Sequence, residues 1–543
     1  MTDPVLAPPS RTGTHVADGA RDSTPSAADR GRTVPAAVGL LATVLSVIGS
    51  WHVSLWTDEA ATITSARRTL PALWRMLHTV DAVHGLYDAG MHAWVAVAGS
   101  SPFALRLPSA LAAGVAAAGV VVLARRLAGP GVGVAAGLVF AALPRVTWMG
   151  IEGRSYAFTA TVAVWLTVLL LAAVRRPVPD RTGDARRQTP APFWVGYAVL
   201  AAVGVALNVY VALLLPAHAL TLLLDRWVTW RQRWTWLAAS VAGVLGASPV
   251  VLAAAGQTGQ LGDTRLGAAQ LLRQVVVNQA FLGDTPTPGS SGSQSLAGLS
   301  AGSLWAPAAV ATAASGWILI AVLVFRRRPV GDLLRWLVPW LALPTAVVAG
   351  YALAVSPMYS PRYLTFTTPA VAVLLGAAVV HVVSGRSRVV VAVLLLALTA
   401  PVYVSQRGVD AKSGSDWAAV ASAVSVHGPR EAVYFTPRRP PTGPTTTLTL
   451  RYVAVAYPAA FTGLRDVTVR TTGVADGTLT GTSTTLAAST AHLAGAPVVW
   501  VLRRDDYPAA AAAADDAVLA RAGFSGGPVF RGPSTTVLRL VRR

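Results

Sequence analysis

The sequence predicts an all-α polytopic membrane domain of about 11 transmembrane helices, followed by a small α/β domain outside the membrane. Two observations lead to this fold class. The chain of 543 residues is 53% hydrophobic and only 13% charged, with a mean hydropathy of +0.53, which is too apolar for a soluble protein of this length. Beyond residue 405, the pattern changes to alternating helical and β-rich stretches.

The net charge of +20 comes from arginines that fall mostly in short clusters between apolar runs. In a membrane protein such clusters set the topology, because loops on the cytoplasmic side are enriched in Lys and Arg. Nucleic acid is therefore not expected as a partner. The chain has no cysteine, so disulfide bonds and thiolate metal sites are excluded as well.

Residues 1–33 are rich in Pro, Ser, Thr, Asp and Arg and contain little that can pack, which predicts a disordered cytoplasmic tail. The apolar run at 34–55 is long enough to span a bilayer, and no small-residue cleavage site follows it. This run is therefore predicted to be a retained first helix rather than a signal peptide.

Hydropathy in a window of about 19 residues predicts the transmembrane segments of residues 34–405. The predicted segments are 34–55, 104–124, 131–149, 156–174, 192–208, 209–225, 235–255, 304–325, 333–355, 361–384 and 389–405. With a cytoplasmic N-terminus, the inner loops hold about twice as many arginines as the outer loops, which favours this orientation in the cell membrane. The break near Asn208 matters most, because losing it would invert every later loop.

This orientation places three segments outside: a loop at 56–103, a loop at 256–303 and a domain at 406–543. In the first loop, apolar residues recur at helical spacing over 70–80, which predicts a helix along the membrane surface, and a second helical stretch follows at 86–97. In the outer domain, helical patterns occupy 416–426 and 507–522, and β-rich runs occupy 431–435, 466–470, 497–502 and 535–540.

Two adjacent carboxylates, Asp58 and Glu59, follow the first apolar run. In a structural interpretation, Asp58 caps a helix that begins at Ala60, and the helix dipole favours Glu59 in its first turn. In a functional interpretation, a carboxylate at the end of a transmembrane helix accepts a proton from a hydroxyl nucleophile, or holds a divalent cation near a phosphate. The two roles are compatible.

Five short motifs occur in order along the predicted outer face. They are Asp58-Glu59, DAVHGLYDAGMHAW at 81–94, SPFALRLPSAL at 101–111, EGRSYAF at 152–158 and SPRYL at 360–364. Together they resemble the GT-C glycosyltransferases, in particular the bacterial relatives of protein O-mannosyltransferases and aminoarabinose transferases. The likeness is greatest to actinobacterial proteins called mannosyltransferases, and it extends over about residues 34–405.

The resemblance implies transfer of a sugar, with mannose as the first candidate, from a polyprenyl-phosphate donor to a hydroxyl group on the outer face, with inversion at the anomeric carbon. The implied acceptor is a glycan, a lipoglycan or a protein, and membrane lipids surround the site. Asp58 would be the general base, with Glu59 beside it binding acceptor or metal. The chain departs from the family at 84–87, which reads His-Gly-Leu-Tyr where relatives often have His-Pro-Pro-Leu-Tyr.

Three further residues have both a functional and a structural interpretation. His84 either binds a divalent cation (Mg²⁺ or Mn²⁺) with Asp58 or contacts the donor phosphate, or it is simply a structural histidine. Tyr87 either stacks on a sugar or isoprenoid, or belongs to the aromatic belt of the membrane interface. Tyr156 either shapes the same cavity or packs between helices. Apart from such a cation, no cofactor is expected.

Charged residues at the outer ends of the predicted helices are candidates for binding phosphate. Glu152 and Arg154 form either an exposed ion pair of little energetic value or part of a phosphate site, to which the planar fork of arginine is suited. Arg362 either snorkels to the interface or stabilises the departing polyprenyl phosphate. Arg145 either adds to the phosphate site or, as we expect, snorkels, and Asp416 is expected to cap the first helix of the outer domain.

Two other classes of function compete with an enzyme: a transporter or flippase for lipid-linked glycans, and a non-catalytic membrane scaffold. Transporters tend to have matching halves and charges near the middle of the membrane. Here the charges lie at the outer ends of the predicted helices and the halves do not match, which favours the enzyme.

Overall fold

The computed structural model describes residues 27–174, 191–257, 266–283, 304–326 and 330–543, with side chains from Thr33 onward. Most of the predicted tail, at 1–26, lies outside these ranges, as do residues 258–265 and 284–303 of the second outer loop. Residues 27–33 were predicted to be disordered, but they belong to the first helix.

Helices account for most of the described chain up to Ser405. In chain order they are α1 Ala27–Val47, α2 Thr57–Ala66, α3 Leu70–Leu77, α4 Gly85–Ala98, α5 Pro102–Ala128, α6 Pro130–Ala142, α7 Pro144–Met149, α8 Tyr156–Val174, α9 Ala191–Leu207, α10 Leu214–Leu224, α11 Trp230–Ala255, α12 Ala268–Arg273, α13 Trp305–Phe325, α14 Gly331–Ala354, α15 Thr368–Val382 and α16 Ser387–Ser405. Three 3₁₀ helices and one π-helix connect them, at Ala82–His84, Val209–Leu213, Pro361–Thr367 and Gln274–Leu282.

Within the described ranges, 7 helices are long and apolar enough to cross a membrane. They are α5, α8, α11, α13, α14, α15 with the 3₁₀ helix before it, and α16. Shorter apolar helices lie at Thr33–Val47, Pro130–Ala142, Ala191–Leu207 and Val209–Leu224. Both sets together occupy the positions that hydropathy predicts for transmembrane segments.

The bundle is buried at its centre and apolar on its outside. Helix α15 is almost wholly enclosed by its neighbours, and its residues from Thr368 to Ala378 are buried. Helix α16, in contrast, exposes Val389, Val393 and Leu394. Exposed apolar residues along a whole helix are typical of a surface that contacts lipid.

Two predicted boundaries differ from the structure, and a third is present and has an identifiable physical cause. The first helix ends at Val47 rather than at residue 55, because residues 48–53 form turns. The predicted segment 131–149 is broken at Leu143, which is extended because the α conformation is disfavoured before Pro144. The predicted break near Asn208 is present, and the Asn208 side chain accepts a hydrogen bond from the Tyr210 N–H (3.0 Å).

The loop at 56–103, predicted to be the first outer loop, folds into α2, α3 and α4. The predicted surface helix at 70–80 is shorter, since α3 ends at Leu77. Its apolar residues also divide between two environments: Leu73 and Met76 are buried inside the protein, whereas Leu70 and Trp74 are exposed. The loop is therefore packed into the fold rather than only resting on a membrane surface.

Residues beyond Gln406 form a small α/β domain. Its elements are α17 Trp417–Val424, β1 Ala432–Thr436, α18 Arg451–Ala456, β2 Arg465–Asp466, β3 Val469–Thr471, α19 Gly473–Asp476, β4 Thr482–Ser483, β5 Val498–Arg504, α20 Ala509–Arg521, β6 Phe524–Arg531 and β7 Thr535–Arg542. The main sheet has the order β2-β1-β5-β7-β6, with parallel pairing at β1 and antiparallel pairing at β7. A second sheet pairs β3 with β4.

Side chains of β5 alternate between two cores, as the period of a strand requires. Trp500 and Leu502 pack into a core that includes residues of α2, α3 and α4, whereas Val499 and Val501 pack on the side of Leu519 in α20. The small domain therefore packs against the loop at 56–103, which also carries Asp58 and His84.

Candidate active site

The cluster around Asp58 is formed by three segments that are distant in sequence. Asp58 lies in the first turn of α2, where Trp56 occupies the N-cap position, so the prediction that Asp58 caps a helix beginning at Ala60 is wrong. Its Oδ2 atom lies 2.7 Å from Nη1 of Arg362, and its Oδ1 atom lies 3.9 Å from Nη2 of Arg154. The structure thus brings together the carboxylate and the two guanidinium groups that the sequence singled out.

Electrostatics keep Asp58 ionised. Burial raises the pKa of this carboxyl, but the neighbouring charges of Arg362 and Arg154 outweigh the burial, and the net effect holds the pKa below its ordinary value. Asp58 is therefore a carboxylate at neutral pH, able to accept a proton or a hydrogen bond from a hydroxyl group.

Arg154 is buried between two carboxylates and makes no close contact with either. Its Nη2 atom lies 3.9 Å from Oδ1 of Asp58 and 3.9 Å from Oδ2 of Asp81. The Nε and Nη1 atoms of Arg154 are buried and have no hydrogen-bond partner in the described part of the chain. A buried guanidinium with unused donors is costly unless a ligand satisfies them, and phosphate oxygens match its geometry.

Arg362 is fixed by its own 3₁₀ helix, which Pro361 begins. Arg145 is fully buried and donates hydrogen bonds to the Pro361 carbonyl and to Oγ1 of Thr365 (2.6 Å), so the prediction that Arg145 snorkels is wrong. The Arg362 guanidinium also lies 5.8 Å from the ring centre of Trp56, within reach of a cation–π interaction. These contacts determine where the guanidinium meets Asp58.

Glu59 points away from this cluster. Its carboxylate forms a two-point pair with Arg106, with Nε to Oε1 at 2.7 Å and Nη2 to Oε2 at 2.5 Å, and it accepts the Gly153 N–H at 3.0 Å. Both side chains of the pair are buried. The structure therefore does not bring Glu59 to the position beside Asp58 where we expected it to bind acceptor or metal.

Glu152 is buried, so the prediction of an exposed ion pair with Arg154 is wrong. Its carboxylate accepts a hydrogen bond from Nε1 of Trp56 (2.8 Å) and pairs with the buried Lys412, near the start of the α/β domain. Trp56 in turn lies next to the Arg362 guanidinium. Glu152 therefore contacts the cluster indirectly, by positioning Trp56.

His84 lines a cavity next to the cluster, whereas Tyr87 does not. The Nδ1 atom of His84 is buried and has no hydrogen-bond partner in the described ranges. Burial lowers the pKa of His84 to about 4, with a further contribution from Arg154, so the ring is neutral at pH 7. Tyr87 is buried against Phe158, with ring centres 5.8 Å apart, so it belongs neither to the cavity lining nor to an aromatic belt at the interface.

Tyr156 has both of the roles that the sequence left open. Its ring is stacked on Trp148 at 5.6 Å between ring centres, and it also lines the cavity. Asn208 and His218, to which the sequence assigned no role, are satisfied: Asn208 donates to the Tyr363 carbonyl (3.0 Å), and His218 bonds to Thr167 and Tyr197.

The cavity has a volume of about 360 Å³. Its polar lining residues are Asp81, His84, Ser155, Asn208, Gln257 and Thr446. Its apolar lining includes the end of α11 and Leu207, Val209 and Tyr210. Asp81 belongs to both the cavity and the cluster, because its carboxylate also pairs with Arg154. The site therefore combines a charged cluster with a cavity whose lining is largely apolar.

The residues present do not form a ligand set for a divalent cation. Within the described ranges, no group of three or more His, Asp or Glu side chains is placed to hold a metal ion. Asp58 and His84, the ligands expected from the sequence, are only two groups, and two guanidinium groups already neutralise Asp58. A cation at this carboxylate would be repelled by both.

Sequence patterns did not single out Asp81, Arg106, Lys412 or Gln257. Each acts through a contact with a segment that is distant along the chain, as when Gln257 bonds to the 77–82 turn. The available signals were weak: Asp81 opens the DAVHGLYDAGMHAW motif, and Arg106 lies within SPFALRLPSAL. Asp416 occupies the N-cap position of α17, as predicted, but its side chain accepts hydrogen bonds from Ser534 and Thr535 rather than from the first turn of the helix.

Comparison with known proteins supports the same fold. A family model described as dolichyl-phosphate-mannose-protein mannosyltransferase matches residues 89–252, which is less than half of the chain. No protein of curated function matches the chain by sequence.

The structure is similar to two crystal structures of ArnT from Cupriavidus metallidurans. The apo form is 14% identical, with a TM-score of 0.57, and the match covers 95% of this chain and 98% of ArnT. The form bound to undecaprenyl phosphate is 15% identical, with a TM-score of 0.55, and the match covers 94% of this chain and 98% of ArnT. At such identities the likeness establishes the fold, over nearly the full length of both chains. The chain is therefore a multi-pass membrane protein with the GT-C glycosyltransferase fold, followed by a small C-terminal sheet domain.

Proposed function

We propose that the chain transfers a sugar, mannose in the first instance, from a polyprenyl-phosphate donor to an acceptor hydroxyl on the outer face of the cell membrane. The observation that carries this proposal is the convergence of Asp58, Arg154 and Arg362 beside a cavity that is lined by both polar and apolar residues. A lipid-linked sugar needs both surfaces, because its sugar and phosphate are polar and its isoprenoid chain is apolar.

In the proposed reaction, the acceptor oxygen attacks the anomeric carbon while the bond between that carbon and the phosphate oxygen breaks. Asp58 accepts the proton of the attacking hydroxyl, and attack from the side opposite the phosphate inverts the anomeric carbon. Arg154 and Arg362 stabilise the negative charge that develops on the departing polyprenyl phosphate. The Nε and Nη1 atoms of Arg154 have no hydrogen-bond partner in the described part of the chain, so they can donate to the phosphate oxygens.

The comparisons support the choice of substrates. The family model that matches residues 89–252 is named for dolichyl-phosphate-mannose, which supports mannose as the sugar. The ArnT structure bound to undecaprenyl phosphate supports a polyprenyl-phosphate donor. The acceptor is a hydroxyl group of a glycan, a lipoglycan or a protein, and the bundle is surrounded by membrane lipids.

A flippase or a scaffold explains the site less well. A scaffold needs no buried charges, and placing charged groups in a protein interior is costly. A flippase needs a polar path through the membrane, whereas these charged groups meet at the ends of α2 and α15 rather than along the helices.

Transfer is tested by incubating membranes that contain the full chain with radiolabelled polyprenyl-phosphate sugars and measuring loss of label from the lipid fraction. We expect Asp58→Asn to reduce transfer by about 10²- to 10⁴-fold, the usual contribution of a general base. The matched control is Asp332→Asn, at a position with 79% exposure of the side chain. An Asp58→Asn protein that inserts normally and keeps full transfer activity contradicts the proposal.

The orientation is tested separately, by labelling single introduced cysteines. The labelling is specific, because the chain has no cysteine of its own. We expect Val426→Cys, in the C-terminal domain, to react with a membrane-impermeant maleimide in intact cells. We expect Asp332→Cys, at the start of α14, to react only after the membrane is opened. The reverse pattern would place the site on the cytoplasmic face.

A further inference from the structure

The turn at Asp81 is held in an unusual conformation beside the cavity. Asp81 has φ 61° and ψ 25°, in the left-handed region that residues other than glycine rarely adopt. Asp and Asn tolerate this region better than other residues, at some cost in energy. Such conformations persist where the surrounding structure fixes them, and they are frequent at functional sites.

Gln257 holds this turn in place. Its Nε2 atom donates to the Leu77 carbonyl at 2.8 Å, and its Oε1 atom accepts the Ala82 N–H at 2.9 Å, so one side chain bonds to both ends of the turn. Gln257 follows the end of α11 and also lines the cavity. The turn that carries Asp81 is thereby tied to a helix that is long and apolar enough to cross the membrane.

The Asp81 carboxylate lies at the boundary between the charged cluster and the cavity. Its side chain is 20% exposed and lines the cavity, whereas Asp58 is not among the lining residues. Its Oδ2 atom lies 3.9 Å from Nη2 of Arg154, a distance too long for a hydrogen bond. A carboxylate accepts hydrogen bonds and donates none, so its natural partners in a cavity are hydroxyl groups.

The geometry points to Asp81 as the residue that recognises the sugar of the donor, by accepting hydrogen bonds from sugar hydroxyls while Arg154 holds the adjoining phosphate. This inference rests on the proposed function, since it assumes a lipid-phosphate sugar in the cavity. It separates the roles of two carboxylates on either side of Arg154: Asp58 acts on the acceptor, and Asp81 binds the sugar that is transferred. Asp81 is thus a specificity-determining residue.

A simpler role for Asp81 would be to balance the charge of Arg154. The two roles differ in what they predict for a lipid phosphate with and without its sugar. If Asp81 only balances charge, its removal changes the binding of both lipids by the same factor. If Asp81 binds sugar hydroxyls, its removal weakens the sugar-bearing lipid alone, because the bare lipid offers it no hydroxyl groups.

The experiment compares the full chain with Asp81→Asn and Asp81→Gly in lipid nanodiscs. Both substitutions tolerate the left-handed backbone, so the turn is kept while the charge is lost. Equilibrium binding is measured for a radiolabelled methyl diester of polyprenyl phosphate, the bare lipid, which has no sugar but the same single negative charge, and for the same lipid phosphate carrying mannose, glucose, galactose or arabinose. The measured quantity is the affinity for the tightest sugar-bearing lipid divided by the affinity for the bare lipid.

We expect this ratio to fall about tenfold in both variants, the factor expected from loss of one strong hydrogen bond. Binding of the bare lipid should stay the same or tighten, since a negative charge beside Arg154 has been removed. The matched control is Asp476→Asn, whose side chain is also 20% exposed and is paired with an arginine, Arg439, at 3.4 Å. This control should leave the ratio unchanged.

Two results overturn the inference: an unchanged ratio in the Asp81 variants, or a native chain that binds every sugar-bearing lipid no more tightly than the bare one. Failure of the proposed function looks different, because the native chain would then bind none of these lipids. If the turn does not form in the Asn variant, the Gly variant still tests the inference, since glycine enters the left-handed region freely.

Discussion

The Nη1 atom of Arg362 lies 2.7 Å from Oδ2 of Asp58, although 304 residues separate the two in the chain. This contact joins the first turn of α2 to the 3₁₀ helix that precedes α15. In the proposed reaction it places the acceptor's base and a phosphate-binding group side by side. The same guanidinium lowers the pKa of Asp58 and, in the proposed reaction, contacts the donor phosphate.

Arg362 is expected to act through the geometry of its guanidinium as well as through its charge. Arg362→Ala should lower the rate of sugar transfer by about 10²-fold, as loss of a group that stabilises developing negative charge does. Arg362→Lys keeps the charge but loses the planar fork, so we expect a smaller loss of about tenfold. The assay is release of label from the lipid donor, with Arg335→Lys, in an exposed ion pair, as control. Full activity of Arg362→Ala would remove this residue from the mechanism.

Arg154 is expected to bind phosphate whether or not a sugar is attached. Its Nε and Nη1 atoms have no hydrogen-bond partner in the described chain, so a lipid phosphate gains charge-assisted bonds there. Bare polyprenyl phosphate should therefore inhibit transfer, and Arg154→Lys should raise its inhibition constant about tenfold. Arg504→Lys, in an exposed pair of the C-terminal domain, serves as control. An unchanged inhibition constant in Arg154→Lys would refute this role.

The sequence predicted the positions of the membrane helices well, because the hydropathy of a segment depends only on the residues within it. It also placed three candidate site residues at helix ends on one predicted face. Asp58, Arg154 and Arg362 follow or begin apolar segments whose ends are on the same predicted face, so hydropathy alone brings them near one another. The convergence of their side chains agrees with that expectation.

The sequence did not predict the direction of each side chain or the contacts between distant segments. Glu59 follows Asp58 directly, but neighbouring residues of a helix point about 100° apart, so one meets Arg362 and the other meets Arg106. Lys412 and Gln257 act across gaps of 260 and 175 residues, which no local pattern reveals. Strand β6 was missed because its Gly-Gly-Pro sequence interrupts the β pattern, as is permitted at a sheet edge.

Glu59 and Arg106 should contribute to stability rather than to chemistry. Breaking a buried ion pair on one side leaves a charge without its partner, at a cost of about 3–5 kcal/mol. Glu59→Gln should therefore lower the thermal midpoint of the purified chain by several degrees, as followed by loss of folded protein on heating. Asp332→Asn, at an exposed pair, should leave the midpoint unchanged within about 1 °C. If Glu59→Gln keeps its thermal midpoint and loses transfer, Glu59 takes part in the reaction directly.

Asp88 is a buried carboxyl that the proposed reaction does not use. Both of its oxygens are buried and have no hydrogen-bond partner among the residues described. Burial raises the pKa of Asp88 to about 8, with a nearby Asp81 adding to the effect and Arg154 opposing it. At neutral pH the folded chain therefore keeps this carboxyl protonated, whereas the unfolded chain releases the proton.

The stability of the folded chain should therefore depend on pH. Between about pH 4 and pH 8 the folded state binds more protons at Asp88 than the unfolded state does, so stability falls as the pH rises through this window. Asp88→Asn resembles the protonated acid and does not titrate. We expect the variant to melt at a higher temperature than the native chain at pH 8, and the difference to shrink toward pH 5. Parallel melting curves for the two proteins at every pH would show that Asp88 is ionised in the folded state as well.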